Sequence, residues 1–258
     1  DTIVGKTITY EDLKAQGMDG IFIATGVGVA NYMGIPGEDL KGVYTASEYL
    51  AKYNLMSPEE LAEALPSLRG KRVAVIGGGN TAIDAVRTAI RLDAKQATIV
   101  YRRSEEEIPA RAEEIKHARE EGTEFFNLHN PVEYLGDESG HVTAMRLERM
   151  ELGAPDESGR RRPVATGEII TVPVDEVIIC IGYSASTLVT KSMPELEVNK
   201  WGNIVVDEGK KTSMPDVYAG GDIVRGAATV ILAMGDGRRA ATAMHQKLSG
   251  RIEEGALV

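Results

Sequence analysis

The chain has 258 residues, 43% hydrophobic and 26% charged, which is typical of globular proteins and sufficient for two modest cores or one large one. Its formal net charge of −10 argues against a nucleic-acid partner, and no apolar run is long enough to span a membrane. Asp1 begins no recognisable signal peptide, so we expect a cytoplasmic protein without a membrane partner.

Cysteine and histidine usage excludes several kinds of redox and metal site within this chain. Cys180 is the single cysteine, so an internal disulfide, a redox-active cysteine pair and a cysteine-ligated iron–sulfur site are all excluded. It lies in the apolar run 177–181, where core packing is expected. The four histidines show no metal-ligand spacing, so we predict no metal site.

Short helices and strands are predicted in the first part of the chain. They are a strand at 7–10, a helix at 11–16, a buried strand at 21–26, a helix at 45–53 and a helix beginning at Pro58 with Ser57 as its cap. Residues 66–71 link these elements to the next segment, and we predict a domain boundary there.

Residues 72–103 contain the most informative pattern. The run Val73–Ile76 is apolar and β-branched, which predicts a buried parallel strand, and GGGNTA follows directly at 77–82. That segment fits the pattern G-x-G-x-x-[G/A]. Apolar residues at helical spacing and a second strand at 97–101 follow, which completes a strand–helix–strand unit.

The small residues of this unit have defined roles in dinucleotide binding. Gly77 permits a tight turn, Gly79 lets a pyrophosphate approach the backbone, and Ala82 allows the helix to pack close to the strand. The helix N-terminus presents N–H groups and a positive dipole end to the phosphates. The alternative is a glycine turn between packing elements, but the complete unit favours dinucleotide binding. The predicted residues are Gly77, Gly78, Gly79, Asn80 and Thr81.

The end of the second strand indicates which dinucleotide binds. An NAD site usually has an acidic residue there, whereas this chain has Arg102, Arg103 and Ser104. A carboxylate would repel a 2′-phosphate, and guanidinium groups bind one bidentately. A solvated basic strand end is the alternative, but the position favours NADPH over NADH.

Beyond Arg103 we predict a helix from Ser104 to about Glu121, followed by an antiparallel sheet. The strands of that sheet are expected at 132–135, 142–150 and 168–172, with a polar tip at 155–162. A buried strand at 175–181 ends at Gly182. These elements complete a compact domain at 68–183.

The remainder of the chain contains a second potential ligand site. Strands are predicted at 203–206 and 217–219, and the second ends in Gly220-Gly221-Asp222. A helix with an apolar stripe is predicted from Thr229 to Leu248. Asp222 could accept hydrogen bonds from polyol hydroxyls beside the helix N-terminus, or it could cap a turn; the spacing leaves both alternatives open.

These stretches together resemble the flavoproteins with two dinucleotide-binding domains, and most closely the small (β) subunit of NADPH-dependent glutamate synthase and its relatives. The resemblance covers nearly the whole chain. It rests on residues 24–26, 36–43, 77–84, 101–107, 181–182, 219–222 and 229–230.

The resemblance implies an α/β fold in which a Rossmann-like NADPH-binding domain, with a parallel sheet and an antiparallel flap, is inserted into a partial FAD-binding domain. Residues 1–67 and 184–258 would form the FAD-binding part, and 68–183 the NADPH-binding part. Ile181 and Gly182 would lie beside NADPH. The residues implied for FAD are Ala24, Thr25, Gly26, Gly221, Asp222, Thr229 and Val230.

The resemblance also implies an activity, namely hydride transfer from the nicotinamide of NADPH to FAD. Electrons would leave through iron–sulfur centres on another domain or subunit, such as a glutamate synthase large subunit or a ferredoxin-linked partner. Hydride transfer requires alignment rather than a general acid or base, so no catalytic side chain is predicted. The single cysteine counts against the branches that use a disulfide.

Two alternatives remain open at this point. The chain could belong to the large subunit of an NADH-dependent ferredoxin:NADP transhydrogenase, or it could be an NADP(H)-binding module without turnover of its own. The cysteine-rich region and the first FAD motif of full-length relatives are not in this sequence. We therefore expect a C-terminal piece that binds NADP(H), with FAD retention an open question.

Overall fold

The computed structural model describes residues 1–57, 60, 67–155 and 159–250. The chain forms two compact units, one made of residues 32–181 and the other of residues 1–31 with the chain from Gly182 onward. None of the helices among the described residues has the length and apolarity that a membrane span requires.

The strands of the two units are numbered together in chain order. They are β1 (Ile21–Ile23), β2 (Val29–Ala30), β3 (Val43–Thr45), β4 (Arg72–Ile76), β5 (Gln96–Tyr101), β6 (Glu124–Asn127), β7 (His129–Gly136), β8 (Val142–Pro155), β9 (Arg161–Pro173), β10 (Glu176–Ile179), β11 (Tyr183–Ser184) and β12 (Val217–Ala219). The α-helices are α1 (Tyr10–Ala15), α2 (Ala46–Leu55), α3 (Asn80–Arg91), α4 (Ala112–Glu120), α5 (Thr187–Ser192), α6 (Asp222–Arg225) and α7 (Val230–Leu248).

The unit of residues 32–181 is built on a five-stranded parallel sheet in the order β3-β10-β4-β5-β6. The predicted strand–helix–strand unit is present as β4, α3 and β5. Helix α3 packs on the sheet because its alanines and branched apolar residues, including Ala82 and Val86, are fully buried. The predicted antiparallel flap is the three-stranded sheet β7-β8-β9.

This unit begins at Tyr32, whereas the domain boundary was predicted at 67/68. Strand β3 pairs with β10, with Val43 opposite Val177, so the segment before residue 67 contributes an edge strand to the same sheet. The unit ends at Ile181 rather than at residue 183. A two-residue pairing of β11 with β2 places Tyr183 and Ser184 in the other unit.

The other unit has a smaller core around the parallel pair β1 and β12. Val217, Ala219 and Ile223 are fully buried there, and β12 leads directly into α6. Strand β12 therefore ends at the turn Gly220–Asp222, and this turn positions Gly221 and Asp222, which were predicted to face a ligand.

Two local predictions near glycine and proline residues were wrong. Residues 7–10 were predicted as a strand, but Thr9 caps α1 through a capping box with Asp12, so Tyr10 is already helical. The helix predicted from Ser104 to Glu121 is interrupted. A 3-10 turn at Glu105–Glu107 is followed by α4 only from Ala112, because Pro109 between them lacks an N–H and prevents a continuous helix.

The strand predicted at 203–206 is also absent as a strand; Ile204 forms only an isolated bridge with Val198. Its backbone N–H instead donates to Ile223 of α6 at 3.0 Å. Ser57 accepts the N–H of Glu60 at 3.3 Å, as its predicted role as a helix cap requires. The start of that helix at Pro58 lies outside the described residues.

Candidate nucleotide-binding sites

The turn from β4 into α3 depends on two glycines for its own geometry. Gly77 has a φ of +134°, and a Cβ on it would lie 2.3 Å from the carbonyl oxygen of Cys180. A Cβ on Gly78 would lie 2.8 Å from the ring of Tyr101 at the end of β5. These two glycines are required because neighbouring strands pack directly against the turn.

Gly79 differs from its two neighbours. It caps α3 with a φ of −79°, and a Cβ on it would meet no atom within 4 Å. The N–H groups of Gly79, Asn80 and Thr81 have no acceptor within the described ranges. Open space and unpaired donors at the N-terminus of a 12-residue helix fit a diphosphate group.

The side chain of Asn80 holds the adjacent loop. Its Oδ1 accepts the N–H of Arg111 at 3.0 Å, and the N–H of Ala110 donates to the carbonyl of Gly78 at 3.2 Å. The Oδ1 of Asn80 is therefore occupied, whereas its backbone N–H and its side-chain NH₂ have no acceptor among the described residues and are available to a phosphate. The same contacts bring Arg111, a residue outside the predicted set, next to the glycine turn.

The predicted arginine pair lies at the carboxyl end of β5, one strand away from the glycine turn. Arg102 is exposed and Arg103 half-buried, and the Nε of Arg103 is buried without a hydrogen-bond partner. Neither arginine forms an ion pair with any described residue, whereas Arg72, at the opposite end of the sheet, binds Asp175 in a bidentate pair. Two unpaired guanidinium groups at this strand end fit an additional phosphate.

The carboxylate of Glu107, in the loop that follows the arginine pair, is bound by other groups. Glu107 accepts the Ser104 hydroxyl at 2.7 Å and Arg161 Nε at 2.8 Å. The Ser104 hydrogen bond is the main cause that lowers the pKa of Glu107, and Arg161 adds to it. The Ser104 hydroxyl, predicted to bind the cofactor, is thus used by Glu107, and this arrangement leaves the two arginines available to an anion.

Tyr101 was missed by the sequence reasoning as a support for this site. Its ring lies against Gly78, and its hydroxyl donates to the carbonyl of Glu107 at 2.8 Å. The sequence feature that could have indicated this role is the tyrosine at the last position of β5, directly before the arginine pair. The side chain fixes the loop that follows the arginines relative to the glycine turn.

The residues implied for FAD converge in the other unit. A cavity of about 270 Å³ lies at the carboxyl ends of β1 and β12. Six of the seven implied residues line it, although they come from distant parts of the chain; Thr25 is exposed and is not part of the lining. The six are Ala24, Gly26, Gly221, Asp222, Thr229 and Val230.

Asp222 both caps a turn and lines this cavity. Its Oδ1 accepts the N–H of Ala228 at 3.3 Å, which is the turn-capping role considered above. Thr229 is the N-cap of the 19-residue helix α7, and its side chain forms no capping hydrogen bond. Because Thr229 and Val230 line the cavity together with Asp222, the N-terminus of α7 faces the cavity. A carboxylate beside helical N–H groups fits a ligand with both hydroxyl and anionic groups.

The turn before Asp222 is held by a buried carboxylate that the sequence did not indicate. Asp236 of α7 is fully buried, and its Oδ2 accepts the N–H of Gly221 at 3.1 Å. Its pKa is strongly lowered, first by the hydrogen bond from Arg225 and further by Lys210 and Arg239. Asp236 is therefore a fixed anion beneath the cavity.

The remaining predicted residues lie at the end of the sheet. Ile181 is 37% exposed, just beyond β10, and Gly182 has a φ of +94° that favours glycine. Cys180 before them is buried, and burial raises the pKa of its thiol to about 12, so it is not a reactive thiol. Among the described residues, no three metal-ligating side chains cluster.

A family model described as "Pyridine nucleotide-disulphide oxidoreductase" matches residues 2–245 of the chain. The chain belongs to this family. The predicted resemblance to FAD- and NAD(P)-binding oxidoreductases is thereby confirmed. The description of the family mentions a disulphide, but the single buried cysteine cannot form one within this chain.

Relatives extend across most of the chain. It is 41% identical over 252 residues to the NADP(+)-dependent formate dehydrogenase subunit beta of Moorella thermoacetica, covering 96% of this chain and 34% of that protein. It is 38% identical over 250 residues to the glutamate synthase [NADPH] small chain of Escherichia coli, covering 93% of this chain and 52% of that protein. The chain therefore spans only a third to a half of these curated relatives.

Solved structures confirm the predicted α/β fold. Mycobacterium tuberculosis FprA in complex with NADPH superimposes with a TM-score of 0.78 at 21% identity, covering 98% of this chain and 70% of that chain. The thioredoxin reductase of T. acidophilum gives a TM-score of 0.67 at 24% identity, covering 89% of this chain and 66% of that chain. At these identities the likeness concerns the fold alone.

Proposed function

We propose that this chain supplies the NADPH-binding domain and part of the FAD-binding domain of an NADPH-dependent flavoprotein oxidoreductase of the glutamate synthase small-chain type. The observation that carries the proposal is the pair Arg102 and Arg103, unpaired by any described carboxylate, beside a glycine turn with free backbone donors. An NADH site would place a carboxylate at that strand end.

In the unit of residues 32–181, the chain's own groups would bind and orient NADPH. Backbone N–H groups from Gly79 to Thr81 would hold the diphosphate, and the guanidinium groups of Arg102 and Arg103 would hold the 2′-phosphate. The turn requires glycine at positions 77 and 78, since the neighbouring residues leave no room for a side chain at either position. When bound, the nicotinamide supplies a hydride.

In the other unit, Asp222 would hold the ribityl–pyrophosphate region of FAD, and Thr229 and Val230 would lie at the flavin ring edge. The cavity shared by these residues and Ala24 supports this assignment. Its volume of about 270 Å³ suits a part of FAD rather than the whole molecule.

The wider reaction rests on relatives of which this chain covers a third to a half. We propose that electrons pass from the flavin to iron–sulfur centres on another domain or subunit, as in a glutamate synthase with its large subunit. The likeness to a formate dehydrogenase beta subunit supports a second candidate, in which the same flavoprotein exchanges electrons between NADP(H) and a different partner enzyme.

Calorimetric titration of the chain with NADPH, NADH and FAD tests the proposal. We expect NADPH to bind about tenfold or more tightly than NADH, because the 2′-phosphate gains charge-assisted hydrogen bonds. Equal affinities would contradict the assignment of the arginine pair. NADPH binding without any FAD binding would instead favour the NADP(H)-binding module.

A further inference from the structure

The unit of residues 1–31 and 182–250 contains a second cavity that none of the predicted cofactor residues lines. It has a volume of about 470 Å³, within the range of small-molecule sites. Helix α6 contributes Asp222 to the smaller cavity and Arg225 to this one. The other polar and aromatic residues that line this second cavity include Asn31, Ser184, Asn199 and Trp201.

Two asparagines of this cavity have already used their acceptor atoms. Asn31 Oδ1 accepts the hydroxyl of Ser184 at 2.5 Å. Asn199 Oδ1 accepts the backbone N–H groups of Trp201 at 2.9 Å and of Asn203 at 3.1 Å. Neither amide NH₂ group has an acceptor within the described part of the chain. Both asparagines are therefore oriented so that donors remain for a ligand.

Arg225 adds a fixed positive charge to the lining. Its Nε and Nη2 donate to the two carboxylate oxygens of Asp236 at 2.6 and 2.7 Å, which leaves Nη1 as a further donor. Asp236 also binds Lys210 and Arg239, so its single charge is shared among three cations. None of the described residues that line the cavity is acidic. The site is rich in donors and positively charged.

Trp201 provides the apolar surface of the cavity. Its side chain is 69% exposed, and Lys200 Nζ lies 4.4 Å from the centre of its ring. An exposed indole beside a cation and amide donors suits a ligand with a planar body and an anionic group.

We propose that this cavity binds a small organic anion, a carboxylate with a planar body that stacks on Trp201 and accepts hydrogen bonds from Arg225, Asn31 and Asn199. The site is separate from the residues assigned to NADPH and FAD and does not depend on that assignment. Its occupancy can therefore be measured on the chain without either cofactor.

Trp201 is the only tryptophan of the chain, so its fluorescence reports on this cavity directly. The probes are benzoate and benzamide, which are nearly identical in shape and differ in charge. We expect a saturable fluorescence change with benzoate, at a Kd at least about tenfold lower than that of benzamide, because the carboxylate gains charge-assisted hydrogen bonds. Equal affinities, or no saturable change, would overturn the proposal.

Asn31→Asp tests the donor arrangement with a minimal change. The new carboxylate retains an oxygen that can accept from Ser184 but replaces the NH₂ donor with a negatively charged oxygen. We expect benzoate affinity to fall at least about tenfold, since a donor is lost and a like charge is added. The control Asn54→Asp makes the same change at an exposed position of α2 and should leave the affinity unchanged.

A second variant covers the case in which Asn31→Asp does not fold. Arg225→Gln removes the guanidinium, while Asp236 keeps Lys210 and Arg239 as partners. We expect a comparable loss of benzoate affinity, and no loss in the control Arg238→Gln on the exposed side of α7. Benzoate affinity that is unchanged in the folded variants would refute the site.

Discussion

Asp236 Oδ2 accepts the backbone N–H of Gly221 at 3.1 Å. Gly221 has a φ of +74° and directly precedes Asp222, so a buried side chain of α7 fixes the turn that carries the proposed FAD ligand. The hydrogen bond to this charged, buried acceptor stabilises the left-handed backbone conformation of Gly221.

Replacing Asp236 by Asn should destabilise the protein by about 2–4 kcal/mol, because Arg225, Lys210 and Arg239 would lose their shared carboxylate. Urea denaturation measures this change. The exposed Asp19→Asn should leave the transition unchanged. A variant as stable as the parent protein would show that the cations do not depend on Asp236.

The double variant Arg102→Gln and Arg103→Gln should weaken NADPH binding by about ten- to a hundredfold and NADH binding hardly at all, since only NADPH carries the 2′-phosphate. Calorimetric titration measures both affinities. Arg146→Gln with Arg149→Gln removes the same charge from an exposed part of β8 and should alter neither affinity. An equal loss of both nucleotides would argue against a 2′-phosphate at the arginine pair.

The three glycines of the turn should respond differently to substitution. Gly79→Val should cost only about 1 kcal/mol, for valine in place of glycine at the N-cap of α3, because a Cβ there meets no atom within 4 Å; yet it should abolish nucleotide binding by occupying the diphosphate space. Gly77→Ala should cost about 2 kcal/mol or more, because its Cβ would overlap the Cys180 carbonyl. Thermal unfolding and NADPH titration of both variants separate the two roles, and normal NADPH affinity in Gly79→Val would mean that the turn holds no phosphate.

Asp222→Ala should reduce FAD affinity without changing NADPH affinity, since Asp222 lines the cavity in the unit of residues 1–31 and 182–250 and its side chain accepts only the N–H of Ala228 among the described residues. The variant Asp222→Asn retains an acceptor for Ala228 and serves to separate loss of charge from loss of the turn. Flavin absorbance after reconstitution and dialysis gives the retained fraction. Reduced NADPH affinity would contradict the division of roles between the units.

Glu121 should contribute to acid sensitivity. The hydrogen bond from Arg87 is the main cause that lowers its pKa from 4.5 to about 2, and Arg91 adds to it. Because the folded-state pKa is depressed, the stabilisation is complete above pH 4.5 and is lost as the pH falls toward about 2. Glu121→Gln should therefore show a flatter decline in the free energy of unfolding across that range than Glu113→Gln, an exposed control on α4. Parallel declines would exclude this contribution.

Features formed by residues adjacent in the chain were predicted from the sequence more successfully than contacts between residues far apart in the chain. The turn at Gly77–Gly79 and the arginines after β5 were located correctly because strand, glycine and helix signals are adjacent in the chain. A ligand site at Gly221 and Thr229 followed from local spacing, but the link of Ala24 to that site came only from family resemblance, since no local signal brings residues 24 and 221 together.

Burial along α7 shows why periodicity alone was insufficient. The apolar stripe included Val230 and Ile231, which are 75% and 79% exposed, whereas the charged Asp236 is fully buried. Its partners Lys210 and Arg225 lie outside the helix, so a pattern within the helix cannot reveal why a carboxylate is tolerated there.

The burial of Cys180 has a practical consequence for studying this protein. Since its thiol is inaccessible and resists ionisation, a cysteine introduced at an exposed position would be the only one to react with a maleimide dye. Thr25 lies next to Ala24 and Gly26, which line the smaller cavity, so Thr25→Cys would provide a single, site-specific label beside it without removal of the native thiol.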